Sequence, residues 1–308
     1  PETWLLLPLL YSVRTEGHTA EYRADWAAEA IHDFLGNVDG DEEIFFRAVR
    51  RAALSLYGRA LDQEDEAVYF LDKTPRYYHL LPELRKVFPE AHLLFLLRHP
   101  LDVFASIIGD NLDGRWSKLF TTERCHDIFT APRRLAGAMQ NPHELTTIVR
   151  YEDLVRNSAT EIQRICETIG IEFSEEILEY GGEVAFQSTN FRDTRSIYEH
   201  DQAVESYIGK WQDRLDTPDR AYAAERYLDF LGAETLDTLG YDAEVLRGQV
   251  REMKRNTSAP AIRLPWERLL RKPNEMGPTH QWILDGLCAS ADVGFKPALR
   301  KFISKIFE

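Results

Sequence analysis

The sequence predicts an α/β fold, a parallel sheet flanked by helices, with a mainly helical C-terminal extension. Three observations carry that expectation. Short apolar runs at Ala67–Asp72 (AVYFLD), His92–Leu97 (HLLFLL) and Thr147–Tyr151 (TIVRY) are each followed by a helix pattern. Runs of this length alternating with helices indicate βαβ units, and near-continuous apolar strands indicate a sheet covered on both faces. The runs end on Lys73, Arg98 and the Tyr151-Glu152-Asp153 step. Ligands of such sheets sit beyond the carboxyl ends of the strands, so two cations and an aromatic are expected in one crevice.

The elements follow in order. Ala20 to Leu61 carries a mostly helical pattern with a turn around Gly36–Gly40. After the first strand, KTPRYYHLLPELRKVF has apolar residues at helical spacing, and after the second, RHPLDVFASII starts a helix at Pro100. After the third, EDLVRNSATEIQRICETIG places Ala159, Ile162, Ile165, Cys166 and Ile169 on one helical face. Tyr180 to Gln212 has Gly181-Gly182 and little periodicity, the mark of a long surface loop of the kind that often carries function. A helical run from Arg220 to Leu231 precedes a close of the body near Gly240-Tyr241.

Charge supports that division. The chain carries a net −14, which disfavours nucleic acid or another polyanion as the main partner. The charge is uneven: Leu246 to Glu308 holds 12 of the 37 Lys+Arg and 6 of the 51 Asp+Glu, leaving a body of net −20 and a tail of net +6. Residues 1–245 are therefore expected to form the main domain and 246–308 a basic helical extension. No run reaches the ~18 apolar residues of a membrane span, and the start lacks the basic residues of a signal peptide. Cys125, Cys166 and Cys288 are odd in number, far apart and without histidines at metal spacing. That pattern points to reduced thiols, neither disulfides nor a zinc site, and to a cytoplasmic protein.

The stretch LLFLLRHPLDVFAS, Leu93 to Ser106, has the make-up of a phosphate clamp. Pro100 suits a first helical turn, because its missing N–H has no partner there in any case. The free amides and helix dipole favour an anion at that end, and Arg98 adds a planar fork matched to phosphate oxygens. Ser106 adds a hydroxyl two turns along. The pattern alone leaves a second reading open, in which Arg98 pairs with Asp102 and Ser106 is an ordinary helix residue.

RHPLDVFAS resembles the 3′-phosphate-binding segment of the sulfotransferases that use 3′-phosphoadenosine-5′-phosphosulfate (PAPS). The flanking FLDKTPRYYHLLPELRKVFPEAHLLFLLRHP is similar to the family's Lys-Thr-Pro segment and its strand approach, and VRYEDLV and GKW follow in the family's order. The resemblance spans roughly Pro1 to Tyr241 and is closest to bacterial and tyrosylprotein-type members. It implies a sheet of the P-loop NTPase-like sulfotransferase type, PAPS as donor and 3′-phosphoadenosine 5′-phosphate (PAP) as product. It also implies roles residue by residue. Arg98 and Ser106 would hold the 3′-phosphate, Tyr151 would sit against the adenine, and Lys210 of GKW would contact the 5′-phosphosulfate. Ser196 falls where a further phosphate-binding serine lies in a looser alignment, and Lys73 would line the cleft.

Sulfuryl transfer needs in-line placement, cations on the developing charge and a base for the acceptor proton. Lys73 and Lys210 are the candidate cations, and no metal is required because Arg and Lys can meet the phosphate charges. PETWLLLPLLY resembles the segment in which tyrosylprotein sulfotransferases carry a catalytic carboxylate, making Glu2 the candidate base. His18, polar-flanked in RTEGHTAEY, is a rival; His79 is expected to pack and His99 to be structural.

One part of the pattern fails. The family grips the 5′-phosphosulfate with a glycine-bearing loop placed before the segment that matches Pro1, yet the first glycine is Gly17 and no G-x-x-x-x-G-K-[ST] motif occurs. That loop follows the sheet's central strand, so the natural chain is expected to begin upstream by about one βα turn. Without it, the chain is expected to be inactive.

The tail departs from the family as well. NTSAPAIRLP reads as a linker, and Phe295 to Phe307 places Leu299, Phe302, Ile303, Ile306 and Phe307 opposite Arg300, Lys301 and Lys305. Such a basic amphipathic helix caps its own domain or meets a membrane surface or a partner. The sequence leaves the acceptor open between a hydroxyl on a small metabolite, a lipid-like or carrier-bound molecule, and a peptide tyrosine. Two other classes stand beside the enzyme: a non-catalytic nucleotide-binding protein of the same fold, and a P-loop nucleotide kinase, which has no use for Arg98, Ser106 and RYEDL together.

Overall fold

A computed structural model describes residues 35–36, 41–62, 67, 69–111, 124–178, 204–215 and 218–255. The chain divides into two compact units, Pro1–Leu93 with Tyr180–Asp201, and Leu94–Glu179 with Gln202–Glu308.

In the first unit, α1 (Asp41–Leu61) opens on three acids and ends with Arg59 in its last turn, both matched to the helix dipole. Its Phe46, Val49 and Ala53 are buried together with Leu80 and with Leu84 and Val87 of α2 (Leu81–Val87). Arg50 of α1 donates to the Val87 carbonyl (2.9 Å) and pairs with Glu90. A 3₁₀ turn, Pro75–His79, leads into α2, and His79 packs in it against Tyr78, ring centroids 4.3 Å apart.

The run at 67–72, expected as a strand, joins no sheet among the described residues, and Tyr69 and Leu71 are exposed. Its end is held by side chains. The Asp72 carboxylate accepts from the Tyr57 and Tyr77 hydroxyls, each at 2.7 Å, and from Thr74 Oγ1 at 2.9 Å. A short apolar run does not by itself supply the neighbour that strand pairing needs.

In the second unit, β1 (Leu93–Leu97) and β2 (Thr146–Arg150) are neighbours in one sheet. They run parallel, and the residues that follow them meet: the Arg98 guanidinium lies 4.5 Å from the Tyr151 ring centroid, and the His99 amide donates to Glu152 (2.7 Å). β1 is covered on one face rather than both. Phe95 and Leu97 are buried while Leu94 and Leu96 remain 37% and 58% exposed, the alternation that a period of two produces.

Helices complete the α/β unit: α3 (Pro100–Ser106), α4 (Ala131–Gln140), α5 (Tyr151–Arg156), α6 (Ser158–Ile169), α7 (Trp211–Arg214), α8 (Pro218–Thr238) and α9 (Ala243–Arg255). His99, ahead of Pro100, has a ψ of 120, in the range a residue before proline prefers, so α3 starts sharply. The helix expected after β2 is two helices, because Asn157 leaves helical geometry (φ −132, ψ 47) between α5 and α6. Of the apolar face expected there, Cys166 is buried and Ala159 exposed. Gly232 (φ 78, ψ 160) breaks α8, a conformation that glycine adopts without a Cβ clash.

The core gathers α3, the π turns Ile107–Asn111 and His126–Thr130, α7, α8 and α9. Phe104 stacks on Tyr227 at 4.7 Å, and Phe129 meets Tyr227 edge-on at 5.9 Å. α9 crosses the charge division at 245/246 and contributes Leu246 and Val250 to this core. The amphipathic pattern at 295–307 lies outside the described residues. Among the described residues, no helix is long and apolar enough to cross a membrane.

Phe104 is fully buried against Tyr227. Phe104→Ala is expected to lower stability by about 3–5 kcal/mol, the range for deleting a core aromatic, read as an earlier urea midpoint.

Candidate anion-binding site

The site is built where β1 and β2 end. Arg98 directly follows β1, and its guanidinium lies over the Tyr151 ring that opens α5. Nη2 donates to the Tyr207 carbonyl at 3.0 Å. Nε is shielded from solvent and has no hydrogen-bond partner among the described residues. A permanently charged donor left in that state is costly, and an anionic acceptor would complete it.

The segment around Tyr207 is brought in by Asp102, in the first turn of α3. This carboxylate is 3% exposed. It accepts from the Gly209 amide at 2.8 Å and the Trp211 amide at 2.9 Å. Asp102 is thus engaged by backbone, and the alternative in which it pairs with Arg98 does not describe the structure. Lys210, between those two amides, sets its ammonium 4.0 Å from the Tyr207 ring centroid. Arg98 and Lys210 therefore both contact Tyr207, one through its carbonyl and one through its ring. Neither cation has a carboxylate partner among the described residues.

Behind them sits an aromatic support. The His99 ring stacks on Trp211 (5.8 Å, 7° between planes) and meets Tyr241 edge-on at 5.4 Å. Burial pushes the His99 imidazole below its ordinary value, against the pull of Asp102 and Glu152 and with the push of Arg98. Burial, with Glu152 alongside, pushes the Tyr241 hydroxyl upward. The neutral His99 ring thus packs as an aromatic, and its Nδ1 has no hydrogen-bond partner among the described residues.

Of the residues singled out from sequence, Arg98, Tyr151 and Lys210 come together here. Ser106 is the last residue of α3, half-buried. Lys73 is exposed in the first unit, in the approach to the 3₁₀ turn. Glu2, His18 and Ser196 lie outside the described residues. Sequence reasoning missed Tyr207, Glu152 as the acceptor for the His99 amide, and the bond from Asp102 to the 209–211 amides. An acid in a helix's first turn was the visible signal for Asp102; a carbonyl acceptor such as that of Tyr207 leaves no signal in the side-chain sequence.

Residues 1–175 match the sequence model described as the sulfotransferase family. The chain is 29% identical over 266 residues to the nodulation protein NoeE of Sinorhizobium fredii (strain NBRC 101917 / NGR234), a match covering 79% of this chain and 59% of that protein. The chain thus spans about three fifths of that relative's length. A solved sulfotransferase domain from the curacin biosynthetic pathway aligns with a TM-score of 0.45 and 19% identity, covering 79% of this chain and 88% of that one.

The depressed His99 value has a signed consequence. The unfolded imidazole takes up a proton near pH 6.5 while the folded one resists it, so the unfolded state binds more protons below that point. Stability from this group is fully present above about pH 6.5 and is lost as pH falls. Denaturant unfolding between pH 7.5 and 5.5 is expected to show that loss in the parent chain. His99→Phe, which keeps a stacking ring without a titratable group, is expected to flatten it.

Proposed function

The chain belongs to the sulfotransferase family, and on that premise we propose that it transfers the sulfuryl group of PAPS to a hydroxyl of an acceptor. The observation that carries this reading is the Arg98 guanidinium, stacked on Tyr151, tethered to the same Tyr207 that Lys210 contacts, and left with an Nε that has no partner among the described residues. A bis-phosphorylated nucleotide offers acceptors for both cations.

In this proposal Arg98 and the Ser106 hydroxyl take the 3′-phosphate, and Tyr151 borders the adenine. Lys210, with Ser196, meets the 5′-phosphosulfate. The acceptor oxygen attacks sulfur in line as the bond from sulfur to the bridging phosphate oxygen breaks. PAP leaves carrying the bond's electron pair, and Lys210 and Lys73 offset its growing charge. The acceptor proton passes to a carboxylate or imidazole base, for which Glu2 is the first candidate and His18 the second.

The acceptor is a small-molecule, lipid-like, carrier-bound or peptide hydroxyl, chosen by surfaces other than the cationic pair. A reducing, cytoplasmic setting is in keeping with Cys125 and Cys166, two buried thiols outside any disulfide among the described residues.

Calorimetric titration of the chain with PAP tests the reading. Binding is expected, and Arg98→Ala is expected to weaken it by about 1.5–3 kcal/mol, the scale of a hydrogen bond to a charged group. A folded parent chain that binds no PAP, or binding that Arg98→Ala leaves unchanged, overturns the assignment of this site.

A further inference from the structure

We infer that Asp102 is a positioning residue for donor binding, setting Lys210 against Arg98 by holding the amides on both sides of that lysine. The inference rests on the reading of Arg98 and Lys210 as the donor's phosphate-binding pair.

The geometry is specific. Asp102 spends both carboxylate oxygens on one strap of backbone, Oδ2 on the Gly209 amide and Oδ1 on the Trp211 amide. The residue between them is Lys210. Its peptide is therefore fixed at both ends, and its ammonium is steadied over the Tyr207 ring. The same strap is held at Tyr207 by Arg98. Arg98 and Asp102 stand four residues apart at the start of α3, so one rigid corner of the fold fixes both cations.

Gly209 completes the device. Its φ of +75 lies in the left-handed region, and that turn is part of the conformation in which the 209 and 211 amides share one carboxylate. Nothing lies within 4 Å of a Cβ built there, so an alanine meets no steric obstacle, only backbone strain. Bonds from a carboxylate to amides are charge-assisted and directional, which suits positioning better than a packing contact does.

The test uses two nucleotides, PAP and adenosine 5′-phosphate, the second lacking the 3′-phosphate assigned to Arg98. Asp102→Asn keeps one acceptor oxygen and turns the other into a donor that cannot serve an amide. It is expected to weaken both nucleotides by about tenfold or more, the scale of a lost charged hydrogen bond. In a Lys210→Ala background the same change is expected to have little further effect, because the group it positions is gone. Arg98→Ala is expected to remove most of the preference for PAP over adenosine 5′-phosphate.

Thermal unfolding checks that each variant is folded. If Asp102→Asn does not fold, Gly209→Ala disturbs the same bonds from the other side and is read by the same cycle against Lys210→Ala. Parent-like nucleotide affinity in a folded Asp102→Asn or Gly209→Ala chain overturns the inference. So does a loss that is additive with Lys210→Ala, which marks a general structural role. If instead Arg98→Ala and Lys210→Ala both leave PAP binding unchanged, the donor-site reading falls, and the inference falls with it.

Discussion

A single buried carboxylate, Asp102, ties together segments more than a hundred residues apart. Buried acids are tolerated when their oxygens are met by donors, and here two backbone amides meet them. What the bond joins is the first turn of the helix after β1 and the strap that bears Lys210. That link works together with the Arg98 bond to the Tyr207 carbonyl and the His99–Trp211 stack to bring the cation following β1 and the cation near the end of the body to one location. With it, Trp211 is drawn into the core, where it stacks on His99 and packs with Leu215 and the helices α8 and α9.

The same corner explains why His99 belongs to the architecture. Its amide is spent on Glu152, its ring on Trp211 and Tyr241, and its non-helical backbone on the entry to Pro100. Three elements, β1, β2 and the strap, converge on this residue. Burial disfavours its charged form. The positive charge of the corner is therefore carried by arginine and lysine side chains, Arg98, Lys210 and, against Tyr241, Arg150.

Much of this was legible in the sequence, for physical reasons that differ by element. The apolar runs at β1 and β2 and the helix start at Pro100 are local signals, and the structure places them within one residue of the expected bounds. The convergence of Arg98 and Tyr151 follows from parallel neighbours sharing an end, a rule of topology. The run at 67–72 misled because hydrophobicity reports a wish for burial and not a pairing partner. The break at Asn157 and the kink at Gly232 are single-residue backbone events inside patterns whose periodicity continues across them. The Arg98 bond to the Tyr207 carbonyl was not legible at all, because a main-chain oxygen is present at every position.

The chemistry of the cations carries the last step. A protein can hold a lysine or arginine in place with a carboxylate, but that partner cancels the charge and competes with an incoming anion. Here the rings of Tyr151 and Tyr207 hold the two cations, at 4.5 and 4.0 Å. A ring face orients a cation through its quadrupole and leaves its net charge intact. The nearby acids are occupied elsewhere, Asp102 by two amides and Glu152 by the His99 amide and the Tyr241 hydroxyl. In a body of strongly negative net charge, such a corner keeps two cations clear of carboxylate contacts, which the global charge does not foreshadow. Charge steering acts over about a Debye length of 8–10 Å at moderate salt, so the immediate surroundings of Arg98 and Lys210 decide what binds there.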